Sequence, residues 1–137
     1  VNGRYDLLGR WPAARPEIEE TAWREGGLVT LRRADCLHLI AGEKNPILVS
    51  LFVSTEEITV GYVELLPGVM SDADSHPGDE ALLATQGRLN VYLPETYDWF
   101  ELHARDSLFL PEGVRHQYCN MSDAPAEFFF TVAPRYR

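Results

Sequence analysis

Residues 68–87 read GVMSDADSHPGDEALLATQG, and they decide how the rest of the chain is understood. A loop carrying Pro77 and Gly78 delivers His76 and then Glu80 into the apolar, strand-like run that follows. A second segment, PEGVRHQYCN at 111–120, repeats the arrangement with His116 just after a Pro-x-Gly turn. Two imidazoles and a carboxylate from separate strands form a facial set that leaves positions open on a divalent ion. Such an ion would act as a Lewis acid or bind oxygen.

The sequence around these segments is strand and turn. LVTLRRADCLHLI (28–40) and ILVSLFVST (47–55) are rich in β-branched residues. In ITVGYVELL, Ile58, Val60, Tyr62, Glu64 and Leu66 share one face by the period of two. ALLAT and RLNVYL flank Gln86-Gly87, and WFELHAR, DSLFLP and AEFFFTVAP follow, separated by Pro/Asp/Gly clusters. Seven or eight short strands with no helix between them predict an antiparallel sandwich or barrel. Residues 1–27 differ: Trp11, Pro12, Pro16 and Trp23 suggest an arm packed on a domain formed by residues 28–137. PEIEETAWRE suits a short helical turn after Pro16, which Gly26 and Gly27 end.

The two segments resemble the paired motifs of the cupin superfamily. Gly68, His76, Glu80 and Gly87 fall on the first motif, with Asp74 at its first-histidine position. Pro111, Gly113, His116 and Asn120 fall on the second, with Arg105 where its leading glycine would stand. The resemblance spans about residues 47–133 and implies an all-β cupin-type barrel, or jelly roll. It also implies a divalent transition metal (Fe, Mn, Ni or Zn) held by His76, Glu80 and His116. Asp74 is either a fourth, oxygen ligand favouring the harder Mn or Fe, or a solvent-facing residue, and a decayed site is the third alternative. Tyr62 and Tyr118 are candidates to present a hydroxyl beside the metal, and Asp74 or a tyrosine to move protons.

The function expected from the resemblance is a metal-dependent enzyme on a small oxygen-rich or carbonyl-bearing molecule, by isomerase, lyase or dioxygenase-type chemistry. The alternative is a non-catalytic small-molecule-binding module, one half of a two-barrel protein, a reading that the start at Val1 leaves open. His38 and His103 match no motif and read as hydrogen-bonding residues. Asp72, Asp74 and Asp79 lack the regular ligand positions of a calcium loop.

The 137-residue chain has the length of one domain, and its 45% hydrophobic and 24% charged residues are those of a globular protein. A net charge of −9 argues against a nucleic-acid partner. No apolar run reaches the roughly 18 residues of a membrane span. Cys36 and Cys119 form no CxxC pair, which suits a reducing cytoplasm. The aromatic residues of the arm and the Phe128–Phe130 run lead to the expectation of a homodimer.

Overall fold

The computed structural model describes residues 5–13 and 29–134. Nine strands run β1 (Leu37–Ala41), β2 (Ile47–Ser54), β3 (Thr59–Leu65), β4 (Asp79–Gln86), β5 (Arg88–Leu93), β6 (Asp98–His103), β7 (Ser107–Leu110), β8 (Gln117–Cys119) and β9 (Ala126–Ala133) among the described residues. All pair antiparallel, in a six-stranded sheet ordered β1-β2-β3-β9-β4-β7 and a three-stranded sheet ordered β6-β5-β8. The architecture is the all-β jelly roll expected. Among the described residues helix is confined to single 3-10 turns, and no helix is long and apolar enough to cross a membrane.

Alternation builds the interior. In β9, Ala126, Phe128, Phe130 and Val132 are buried while Glu127, Phe129 and Thr131 sit on the other face. From the small sheet, Leu89, Val91 and Leu102 join a common core with Leu51, Leu65, Leu82 and Phe128 of the large one. These branched and aromatic side chains each contribute roughly 1.5–3 kcal/mol on burial. The same alternation turns Glu80 inward on β4, beside Leu82 and Ala84. A carboxylate therefore enters the core by strand geometry alone.

Strand occupies less of residues 28–40 than their strand-and-turn signals suggest. Only Leu37–Ala41 is strand, because Arg33–Asp35 forms a 3-10 turn in which the Asp35 carboxylate accepts the Arg32 N–H at 2.8 Å. Local side-chain bonding of this kind competes with a sheet ladder. Trp11 is buried, pairs with Ser54 through two backbone bonds of 2.9 Å, and donates its indole N–H to the Asp35 carbonyl at 3.2 Å. Leu7 and Leu8 pack on the core beside it. The helical turn expected after Pro16, and Trp23 with it, lie outside the described residues.

Two motif positions prove structural. Gly87 adopts a φ of +72°, and a Cβ there would run into the carbonyl oxygen of Pro125, so only glycine fits the β4–β5 turn. Asn120 is fully buried and ties three segments together. Its amide donates to the Leu65 and Ala124 carbonyls, both at 2.8 Å, and its carbonyl accepts the Ser122 N–H at 3.0 Å and hydroxyl at 2.7 Å. Buried groups left without partners cost roughly 1–3 kcal/mol each. Asn120→Ala should therefore lower the unfolding free energy by at least about 2 kcal/mol in urea denaturation. A loss under about 0.5 kcal/mol, typical of a surface change, would contradict this role.

Candidate metal centre

The site lies where the loop from β3 to β4 meets the segment entering β8. These stretches run antiparallel: Asp74 and His116 exchange two backbone hydrogen bonds of 2.9 Å, and Met70 pairs with Cys119 nearby. The Ser71 N–H donates to the Tyr118 carbonyl at 2.8 Å, and the Tyr118 N–H to the Ser71 hydroxyl at 3.0 Å. Backbone pairing, more than any side chain, thus fixes the separation of the two histidines. Their rings stand 5.4 Å apart and perpendicular.

Glu80 is the centre of the cluster, with its side chain 1% exposed. Its Oε1 lies 2.8 Å from His76 Nε2 and 3.5 Å from His116 Nε2. Its Oε2 accepts the Tyr118 hydroxyl at 2.6 Å. One ring nitrogen of each histidine is engaged elsewhere: His76 Nδ1 with the Pro77 carbonyl at 3.0 Å, His116 Nδ1 with the Val114 carbonyl at 2.8 Å. A carbonyl only accepts, so each Nδ1 carries a proton, and a neutral ring then turns the Nε2 lone pair toward Glu80. Two lone pairs facing a carboxylate repel unless a cation lies among them. Protonated imidazole supplies one form of that cation and a metal ion the other.

The residues present fit a metal. One ligand atom from each of His76, Glu80 and His116 can be chosen so that all lie within 4.8 Å of one another. Ligands held about 2.1 Å from an ion at octahedral or tetrahedral angles stand roughly 3.0–3.4 Å apart, between the two Glu80–histidine distances seen here. Backbone acceptors on the far nitrogens orient the rings as the surroundings of metal-ligating histidines do.

Burial pushes the Glu80 carboxyl up, but the hydrogen bonds from His116, His76 and Tyr118 outweigh it and hold it down at about 2. Burial opposes the charged form of His76, yet its bonds to Glu80 and Pro77 leave it raised above 6.5. Asp74 is exposed, its Oδ1 accepts the Ser75 N–H at 2.8 Å, and it stands outside the compact trio. It does line the cavity beside the trio. Tyr118 is in the site, with its hydroxyl also 3.0 Å from His116 Nε2. Tyr62 is not: Gly61, Val63 and Leu65 take the inward positions of β3. Its ring packs instead between Phe52 and Phe129 on the outer face, with the Arg33 guanidinium 4.6 Å above it. That placement corrects its candidacy for the metal site.

The cavity, about 290 Å³, is walled on one side by Ile47, Val49, Val63 and Phe130. Sequence reading missed this wall, although the strand alternation that placed Glu80 would have found Val49 and Val63. It weighed Asp72 only against a calcium loop, whereas its carboxylate accepts the N–H groups of Glu43 (2.8 Å), Lys44 (3.2 Å) and Asn45 (2.7 Å), holds the β1–β2 turn and lines the cavity. His38 meets Ser50 and His103 meets Glu101, both away from the site. Cys36 and Cys119 are free and buried, the Cys36 thiol pushed up to about 11 by burial.

Residues 61–132, more than half of the chain, match the cupin domain model, and the chain belongs to that family. Among solved structures, the fold is similar to the polyketide cyclase RemF of Streptomyces resistomycificus, at 15% identity and TM-score 0.66 over 77% of this chain and 79% of that one. A predicted oxalate decarboxylase of Thermotoga maritima aligns at 16% identity and TM-score 0.65, over 77% and 99%. A cupin-superfamily sugar phosphate isomerase of Silicibacter pomeroyi aligns at 22% and 0.61, over 77% and 75%. No curated protein matches the sequence.

The titrations set a pH window. Glu80, held at about 2 against an ordinary 4.5, stabilises the metal-free fold above about pH 4.5, and that stabilisation disappears as pH falls toward 2. His76, raised above 6.5, stabilises it below that pH and ceases to do so as pH rises through its elevated pKa. Urea unfolding of metal-free protein should therefore show the contributions of these two groups together at their greatest between about pH 4.5 and 6.5. Metal must displace the His76 proton, so metal affinity should rise from about pH 6 to pH 8. Affinity that is flat over this range would show that His76 is not a ligand.

Proposed function

We propose that the chain is a metal-dependent enzyme acting on a carbonyl-bearing small molecule. The observation that carries this reading is a fully buried carboxylate, Glu80, met by two histidine Nε2 atoms at the end of a cavity. His76, Glu80 and His116 would hold the ion, and a divalent transition metal bound there supplies Lewis-acid polarisation of a substrate oxygen. Tyr118 lines the same cavity with its hydroxyl proton directed at Glu80 Oε2, so its oxygen can accept a proton from the substrate as its own passes to Glu80. Asp74, at the rim, offers a second proton acceptor. The apolar wall excludes water from the substrate's other side and turns its oxygen toward the trio. Isomerisation, elimination and oxidative cleavage all begin from this arrangement, and fold alone does not choose among them.

The protein is also inferred to be a homodimer, supported by apolar side chains on the outer face of the large sheet, among them Leu48, Leu83 and Phe109. Light scattering at micromolar concentration should return twice the chain mass, and a monomer mass would contradict it.

Elemental analysis should find a stoichiometric transition metal in the purified protein. His76→Ala and His116→Ala should each lose most of it while keeping a cooperative unfolding transition. Tyr118→Phe should keep the metal and, once a substrate is found, lose about 100-fold or more in kcat. Full metal content in either histidine variant would remove that residue from the metal site.

A further inference from the structure

The walls of the cavity carry a charge pattern that bears on the class of ligand. Its acidic lining residues are Asp72, Asp74 and Glu80, and no lysine or arginine lines it among the described residues. Lys44 and Arg115, close in sequence to the lining, are exposed and stand outside it. Arg33 is engaged on the outer face with Tyr62, Glu64 and Glu127. A divalent ion on the trio would bring two positive charges against the carboxylates of Asp72, Asp74 and Glu80, and the lining would remain net negative. Sites for phosphate or carboxylate groups use guanidinium, ammonium or backbone N–H donors. The backbone donors of the β1–β2 turn at this rim are already bound to Asp72.

Much of the rest of the lining is apolar. Ile47 and Val49 of β2, Val63 of β3 and Phe130 of β9 contribute to it. A volume of about 290 Å³ lies at the small end of the roughly 300–1,000 Å³ usual for small-molecule sites. Size, charge and the single apolar wall select together.

Resting on the reading of the site given above, we propose that the cavity takes a neutral molecule of about one ring. A carbonyl or hydroxyl oxygen would meet the His76–Glu80–His116 end, and the apolar body would lie on the Ile47, Val49, Val63 and Phe130 wall. Phosphate esters and carboxylates are rejected by the Asp74 and Asp72 carboxylates at the mouth. Repulsion between like charges at close range is a strong discriminator, and it is greatest at low salt.

The test is a matched probe pair, benzamide and benzoate, which share shape and differ in charge. Binding to the full chain would be measured by calorimetry and by ligand-observed NMR at low ionic strength, with and without zinc. Benzamide should bind in both forms, and benzoate at least about tenfold more weakly. Asp74→Asn should narrow that ratio to within about threefold, and Ser75→Lys, at the exposed rim, should reverse it. Benzoate binding as tightly as benzamide to wild type, or neither probe binding, would overturn the proposal. Failure to take up zinc would sink the metal-dependent reading alone, because the metal-free protein still reports the preference of the walls.

Discussion

Everything at the functional end of this barrel depends on one buried charge. Glu80 is carried inside by the alternation of β4, and an isolated carboxylate in that position would cost far more than the fold can absorb. The surrounding structure answers that cost directly. Tyr118 donates to one oxygen, and His76 and His116 present ring nitrogens to the other. The partners arrive on two segments, His76 on the β3–β4 loop and His116 with Tyr118 at the approach to β8, so satisfying Glu80 ties both to β4. Breaking a buried cluster of this kind by removing one member leaves the others uncompensated. The same cluster that stabilises metal-free protein is therefore the one that a metal ion would enter.

How far this was legible in the sequence differs by residue. His76, Glu80 and His116 could be found because a Pro/Gly-bearing loop, a strand and a second Pro-x-Gly turn announce their placement. The fold class was legible for the same reason: the strands are short, β-branched and separated by strong turn signals. RLNVYL became β5 with its limits unchanged, whereas residues 28–40 did not become one strand. There the apolar pattern was sound at its end, but the Arg32–Asp35 bonding that interrupts it depends on side-chain geometry that no periodicity encodes. Tyr62 and Tyr118 looked equivalent as candidates, and only the sheet decides between them. Tyr62 sits out of phase with the inward residues of β3, while Tyr118 lies in a three-residue strand too short to show a period.

The two departures from the family pattern are instructive because the structure treats them differently. At Asp74 the backbone does what the fold requires, through its paired hydrogen bonds with His116, so the side chain is released from any structural duty. The aspartate side chain accepts its neighbour's N–H and leaves an exposed charge on the cavity lining. At Arg105 the constraint is on the backbone itself. Its φ of +77° lies in the left-handed region that the family's glycine occupies freely. The turn is kept by bonds from the Arg105 N–H to the Ala84 carbonyl at 2.7 Å and from the Ala84 N–H to the Asp106 carbonyl at 2.9 Å. Pairing on both sides over-determines the conformation, which is how a non-glycine residue persists there.

These two substitutions separate fold from specificity. Losing a motif glycine leaves the barrel intact because neighbouring hydrogen bonds hold the turn. Replacing a motif histidine by aspartate also leaves it intact, but changes what the cavity meets at its entrance. An imidazole at position 74 would have added a ligand and no negative charge; a carboxylate adds a charge and stands outside the trio. Position 74 shares the mouth with Asp72, which is committed to the β1–β2 turn and keeps its negative charge, held below its usual range by the Glu43, Lys44 and Asn45 N–H groups. With one carboxylate bound to the scaffold and the other exposed, the cavity lining combines acidic residues with aliphatic and aromatic ones. On the proposed reading, selectivity would follow from acidic and apolar lining, while the arrangement of the trio is set by backbone pairing and by the burial of Glu80.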